Sequence, residues 1–326
     1  MVHAGLPGGF FIRPRHELSP YKVRTAAALP LKSLIAKGHY KPRVAFCRQY
    51  IQICPNSCET SSRTPASSRA RWYDTTPGAG RRESIMSDIA ALTARIEKLE
   101  HELAIQQDIH QIRRLQYTYG YFIDKSQYNE VVDLFAEDGE VWFLGGIFRG
   151  KTGVRRLYIE RFQTTFTDGH NGPRYGWLLD HPQMQMVIDV APDRRTAQAR
   201  GRSMMQAGLH HTAKGQQRAW WEGGLYENDY VRENGVWKIK ALRYFPFWHG
   251  SFTEGWPKTP IDFIPMYSTC YPQDPLGPDA LQNPQPRLWP ATDTVPFHYP
   301  HPVTGKPIVL DNSRAREGFV APGRGT

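Results

Sequence analysis

Four long strand-patterned runs follow one another between residues 177 and 248. They read "WLLDHPQMQMVIDV", "TAQARGRSMMQAGLHH", "QQRAWWEGGLYENDYVREN" and "GVWKIKALRYFPFW". The links "APDRR" and "ENG" have the Pro, Asp, Asn and Gly content of tight hairpin turns. Strands joined this closely form an antiparallel meander. Such a sheet needs a partner for its apolar face, and the segments ahead of it are helical. The order is helices, a hairpin, a helix, then the meander. This is an α+β plan: a cone-shaped, curved antiparallel sheet packed against N-terminal helices, with an interior pocket.

The helical part opens at "MSDIAALTARIEKLEHELAIQQDIHQIRRLQ", residues 86–116, where Ser87 or Asp88 can cap the start. Ile89, Leu92, Ile96, Leu99 and Leu103 step by three and four, a heptad seam. This arm, 86–108, either lies on its own domain or joins subunits. A second helix runs through Ile109, Ile112, Leu115, Tyr119 and Phe122 and stops near Asp124. A short helix spans "QYNEVVDLFA". The hairpin "GEVWFLGGIFRG" turns at Gly145-Gly146, and "GKTGVRRLYIERFQTTF" is helical.

The net charge of +10 suggests nucleic acid until its distribution is counted. Residues 1–85 hold 14 basic side chains against 4 acids, and the rest holds 27 of each. The body is neutral, so the basic character says nothing about its ligand. Three of the 4 cysteines, Cys47, Cys54 and Cys58, share that leader and lack zinc-finger spacing, which leaves Cys270 alone. A reducing, cytoplasmic setting fits, or a mitochondrial one if residues 1–85 are a targeting leader. That leader, rich in Arg, Ser and Pro, reads as poorly structured. The domain is placed at 86–250. Residues 251–326 contain 14 prolines and many aromatics. Proline at that density prevents regular structure. An extended tail is expected, draped over the domain or over a neighbouring subunit. No apolar run is long enough to span a membrane.

"IRRLQYTYGYFIDKSQYNEVVDLFAEDGEVWF", "FRGKTGVRRL" and "YENDYVRENGVWKIKAL" together resemble the SnoaL-like branch of the nuclear-transport-factor-2-like superfamily. The bile-acid dehydratase, scytalone dehydratase and dehydrochlorinase lyases belong to that superfamily. The resemblance covers residues 86–250. It implies that Asp124, ending its helix, pairs with a histidine on the first long strand, here His181. It places the family tyrosine at Tyr119. On an ideal helix, however, five residues turn about 500°, so Tyr119 and Asp124 do not share a face. Tyr121 and Tyr117 lie nearer Asp124, and Tyr121 competes with Tyr119 as the pocket tyrosine.

An Asp–His pair suits proton abstraction. The imidazole accepts the proton, the carboxylate orients it, and a tyrosine hydroxyl steadies a developing oxyanion. No metal or organic cofactor is required. Substrate contacts are expected from Tyr121, Trp142, Gln206, Trp221 and Arg243. Gln206 shares a strand face with Met204, Gly208 and His210. Trp142, Trp221 and the neighbouring Trp220, Tyr244, Phe245 and Phe247 suit a flat aromatic ligand. The sequence has no phosphate-binding Gly-rich loop and neither H-E-x-x-H nor G-x-S-x-G. The leading expectation is a cofactor-independent, dehydratase-type lyase. It would act on a small aromatic or polycyclic substrate, without nucleic acid or membrane, as a homo-oligomer (trimer or dimer). Competing expectations are a polyketide cyclase or isomerase, a formaldehyde-releasing C–C lyase on phenylpropanoid-type compounds, and a non-catalytic binding or assembly protein.

Overall fold

A computed structural model describes residues 78–210, 218–291 and 293–315. The chain divides into two units, Met1–Tyr73 and Asp74–Thr326, and every described residue belongs to the second. The leader up to residue 77, with Cys47, Cys54 and Cys58, lies outside the described residues, as does His211.

Helix α1 runs unbroken over Ala79–Asp124. Two helices are therefore one, and Ser87 and Asp88 lie inside it rather than capping it. Beyond Pro77-Gly78 the sequence holds no proline until Pro173, so nothing stops the helix from starting early. The heptad residues from Ile89 to Leu103 are more than half exposed. Among the described residues no element packs over that seam. The second half of α1 is different. Ile112, Gln116, Tyr119 and Ile123 step by four, three and four, and all are buried against the sheet.

Helix α2 (Tyr128–Asp133) is followed by strands β1 (Phe135–Phe143) and β2 (Gly146–Arg149). Their turn is Leu144-Gly145, one residue earlier than expected, with φ of 46° and 77°. Two positive φ values make the turn whose twist matches the strands. A helical stretch comes next: α3 (Gly150–Arg155), a π-wound segment (Arg156–Gln163) and α4 (Thr164–Thr167).

The meander is β3 (Trp177–Asp180), β4 (Gln183–Val190), β5 (Thr196–Leu209), β6 (Arg218–Glu233) and β7 (Val236–Ser251). Asn234-Gly235, both at positive φ, joins β6 to β7. The tail adds β8 (Ala280–Leu281), pairing with β2. The curled eight-stranded sheet has the order β3-β5-β6-β7-β1-β2-β8, with β4 also on β5. Its ladders are antiparallel except one: β1 runs parallel to β7.

Two buried polar anchors tie α1 to the sheet. Asp108 accepts hydrogen bonds from Arg194 at 2.6 Å and from the Trp237 indole at 3.0 Å. Gln116 accepts from Tyr230 and Asn228 at 2.7 and 3.0 Å and donates to Gln183 at 2.8 Å.

Candidate active site

Asp124 is the last residue of α1, where the chain leaves the helix through Ser126 at φ 55°. His181 stands in a gap between two strands. The expected single strand 177–190 is split there because Pro182 has no N–H for the ladder. Pairing with β5 ends at Asp180↔Gln206 and resumes at Gln183↔Ser203. The freed His181 backbone N–H donates instead to Asp124 Oδ1, at 3.2 Å. The ring Nδ1 contacts the same oxygen. A carboxylate oxygen accepts, so this contact assigns the hydrogen to Nδ1. Nε2 has no hydrogen-bond partner among the described residues, and His181 lines an aromatic-walled cavity. The Gln183 amide donates to the His181 carbonyl at 3.0 Å and props it from behind.

Tyr119 is 4% exposed and lines the same cavity. Its ring meets the His181 ring edge-on, with centroids 6.4 Å apart. The angular conflict on the helix is thereby resolved. Asp124 does not face the cavity itself; it reaches His181 from the side, and His181 carries the pair round to Tyr119. The Tyr119 and Tyr158 hydroxyls are 3.1 Å apart. Burial, then the Tyr158 hydroxyl, push the Tyr119 pKa well above its ordinary value. Tyr226 is pushed well up by burial and then by Tyr119, and Tyr244 by burial and then by Glu222. All three are neutral phenols at ordinary pH: they can donate hydrogen bonds but cannot act as bases.

The cavity measures about 650 Å³, within the range of small-molecule sites. Tyr158, Phe162 and Phe166, at steps of four, form one wall. Phe166 stacks on Trp177 at 4.4 Å, and Trp177 leans on Trp220 at 6.2 Å. Another wall comes from the tail, where Ile264–Tyr267, Asp274 and Leu276 line the space. The tail is held here by backbone bonds from Tyr267 to Leu144 (2.9 Å) and from Asp279 to Ile147 (2.8 Å). Buried Arg156 adds bonds to the Gly277 carbonyl and to Asp279, at 3.1 and 3.0 Å.

Five expected contacts lie elsewhere. Tyr121 is 76% exposed on the outer face of α1. Trp142, Gln206, Trp221 and Arg243 sit on strand positions that alternate with the lining ones. The lining residues are Val141 and Phe143, Met205, Trp220 and Glu222, and Leu242 and Tyr244. With a side-chain period of two, a one-residue error moves a choice to the opposite face. Outside, the Arg243 guanidinium covers the Trp142 ring at 5.2 Å and pairs with Asp229, while the Trp142 indole bonds Glu140 at 2.7 Å. Trp221 is 40% exposed and pairs across from Gln206. His210 lies at the exposed end of β5. Sequence reasoning missed Glu222, Trp177, Tyr226 and the tail wall. The alternation Trp220, Glu222, Gly224, Tyr226 was the available signal.

A family model described as a SnoaL-like domain matches residues 105–243. That span contains α1's buried half, the hairpin and nearly all of the meander. Over residues 105–243 the chain is similar to a SnoaL-like domain. No curated protein matches the chain. Among solved structures, this chain is similar to a candidate scytalone dehydratase from Novosphingobium aromaticivorans, at 21% identity and a TM-score of 0.36. The match covers 47% of this chain and 91% of that one. A hexachlorocyclohexane dehydrochlorinase matches at 18% identity and a TM-score of 0.36, over 47% and 91%. An NTF2-like protein with a cystatin-like fold, from Novosphingobium aromaticivorans, matches at 21% and 0.33, over 49% and 90%. These likenesses carry no statement about activity. Among the described residues, no group of three or more His, Cys, Asp or Glu could hold a metal ion, and no helix is long and apolar enough to cross a membrane.

Proposed function

We propose that this protein is a lyase that eliminates water from a small hydroxylated aromatic substrate, with His181 as the base. The observation that carries the reading is the Asp124–His181 contact, which leaves Nε2 to an open, aromatic-lined cavity. In the proposed step, Nε2 takes the proton from the carbon beside the one that bears the hydroxyl. The C–H electron pair becomes the second bond of a C=C. The C–O bond breaks, and the oxygen leaves with its electrons. The imidazolium returns the proton to that oxygen, giving water and restoring His181. Asp124 steadies the imidazolium while it exists. Tyr119, too weak an acid to give up its proton, donates a hydrogen bond to the departing oxygen. The reaction involves no net redox change.

The test is a screen of aromatic alcohols and phenylpropanoid diols for an ultraviolet change, because elimination extends conjugation. Asp124→Asn and His181→Ala are each expected to lower turnover by about 10²–10⁴-fold while leaving thermal melting intact. An unchanged rate in either variant removes that residue from the mechanism. Release of formaldehyde in place of water would replace dehydration by C–C cleavage with the same base.

A further inference from the structure

A second carboxylate–imidazole pair, which the elimination does not use, borders the cavity through its carboxylate, Glu222. Glu222 on β6 is 4% exposed and lines the cavity. His249 on β7 lies directly across the ladder from it and is equally buried. His249 Nε2 is 3.0 Å from Glu222 Oε2, yet neither ring nitrogen has a hydrogen-bond partner. The Tyr244 hydroxyl lies against Glu222, whose charge adds to burial in raising the Tyr244 pKa. Gly224, two residues along the same strand face, creates room for it, because a Cβ there would collide with the Tyr244 ring and hydroxyl. The buried His249 ring thus stands beside the carboxylate with its bonding capacity unused, which is costly unless a ligand reorders the pair.

The other charged side chains of the lining differ. Arg161 and Asp274 approach each other at 3.7 Å, and His181 is held by Asp124. Among the described residues, Glu222 has no arginine or lysine partner. A ligand carboxylate brought to it would set two like charges in a water-poor space. A ligand hydroxyl would donate to it.

We propose that Glu222, backed by His249 and Tyr244, is the anchor for the hydroxyl of a neutral hydroxylated aromatic ligand, and that it excludes aromatic carboxylates from the cavity. This rests on the reading of the cavity as a small-molecule site, and it deepens that reading by naming the substrate class. Glu222 acts in binding; His249 is a positioning residue behind it.

The test is isothermal titration of the full chain at pH 7 with 2-naphthol and with 2-naphthoate, two ligands of the same flat shape. The wild type is expected to prefer 2-naphthol by about tenfold or more. Glu222→Gln, checked by circular dichroism, should bring the two affinities within about twofold. Glu222→Asp keeps the charge and should keep rejecting naphthoate while holding naphthol less tightly. Asp124→Asn should leave the preference unchanged. Equal affinities in the wild type, binding of neither ligand, or a preference retained in Glu222→Gln overturns the proposal. Failure of the elimination reading is separate, because it is read from turnover in Asp124→Asn. An inactive protein that still selects naphthol through Glu222 would sink the one and keep the other.

Discussion

Replacing Gln116 with leucine removes the centre of a buried network that runs from the core to His181. The Gln116 side-chain oxygen accepts from Tyr230 and Asn228, and its amide donates to Gln183, which in turn holds the His181 carbonyl. Gln116, Asn228 and Tyr230 are fully buried, so water cannot replace what is lost. Gln183 is only half-buried and can rehydrate. Each stranded buried group costs about 1–3 kcal/mol. The Tyr230 oxygen can still accept from Asn228, already 3.3 Å away, which softens one of the two losses. The expected sum is about 2–4 kcal/mol, a large part of a typical stability of about 5–15 kcal/mol. Urea unfolding followed by circular dichroism measures it as a lower midpoint at unchanged slope. The His181 imidazole resonances should also shift, because the prop behind that residue has lost its own support. A midpoint change worth under about 0.5 kcal/mol would show that the network does not carry the load argued for it.

Two further outcomes follow from the anchors. Asp108→Ala leaves the buried Trp237 indole unpaired while Arg194, a quarter exposed, can rehydrate, and it should cost about 1–3 kcal/mol, read by the same denaturation. Burial alone would raise the Asp108 pKa, but the bonds from Arg194 and Trp237 bring it below the ordinary carboxylate value. Its stabilisation is therefore present above the unfolded-state pKa and lost as pH falls through the lowered one. The wild type should lose stability in acid, and Asp108→Asn should flatten that dependence. Arg156→Met should free the tail wall from its bonds at Gly277 and Asp279. New proteolytic cuts within 264–279 and weaker naphthol binding are expected; an unchanged digest pattern would mean that the backbone bonds suffice.

The fold class was readable because periodicity and turn chemistry agree over the whole meander: Asn234-Gly235 announces its hairpin, and the buried stripe of α1 steps by three and four. The end of α1 near Asp124 was also visible, whereas the break at Pro182 was not, because 177–190 reads as one strand. Which strand face looks inward was not visible. Trp220 and Trp221 are equally apolar, and only the pairing register, shifted by irregularities at Gly223/Gly224 and Asp229/Tyr230, decides between them. The tail could not be placed for a different reason. Its contacts are single backbone bonds and stacked rings, such as Arg161 on Tyr267 at 4.8 Å, and these leave no periodic trace.

The tail wall has a consequence for how the protein is made. Chains emerge from the ribosome N-terminus first. Asp124 and His181 can meet once β3–β5 have formed, but Tyr267, Asp274 and Leu276 lie some ninety residues later. Until they arrive, the growing chain exposes an unroofed, aromatic-lined trough, an adhesive surface for other nascent chains or for a chaperone. The site thus closes only after residues 264–276 have emerged, and a ligand able to select among hydroxylated aromatics would meet its finished walls only then.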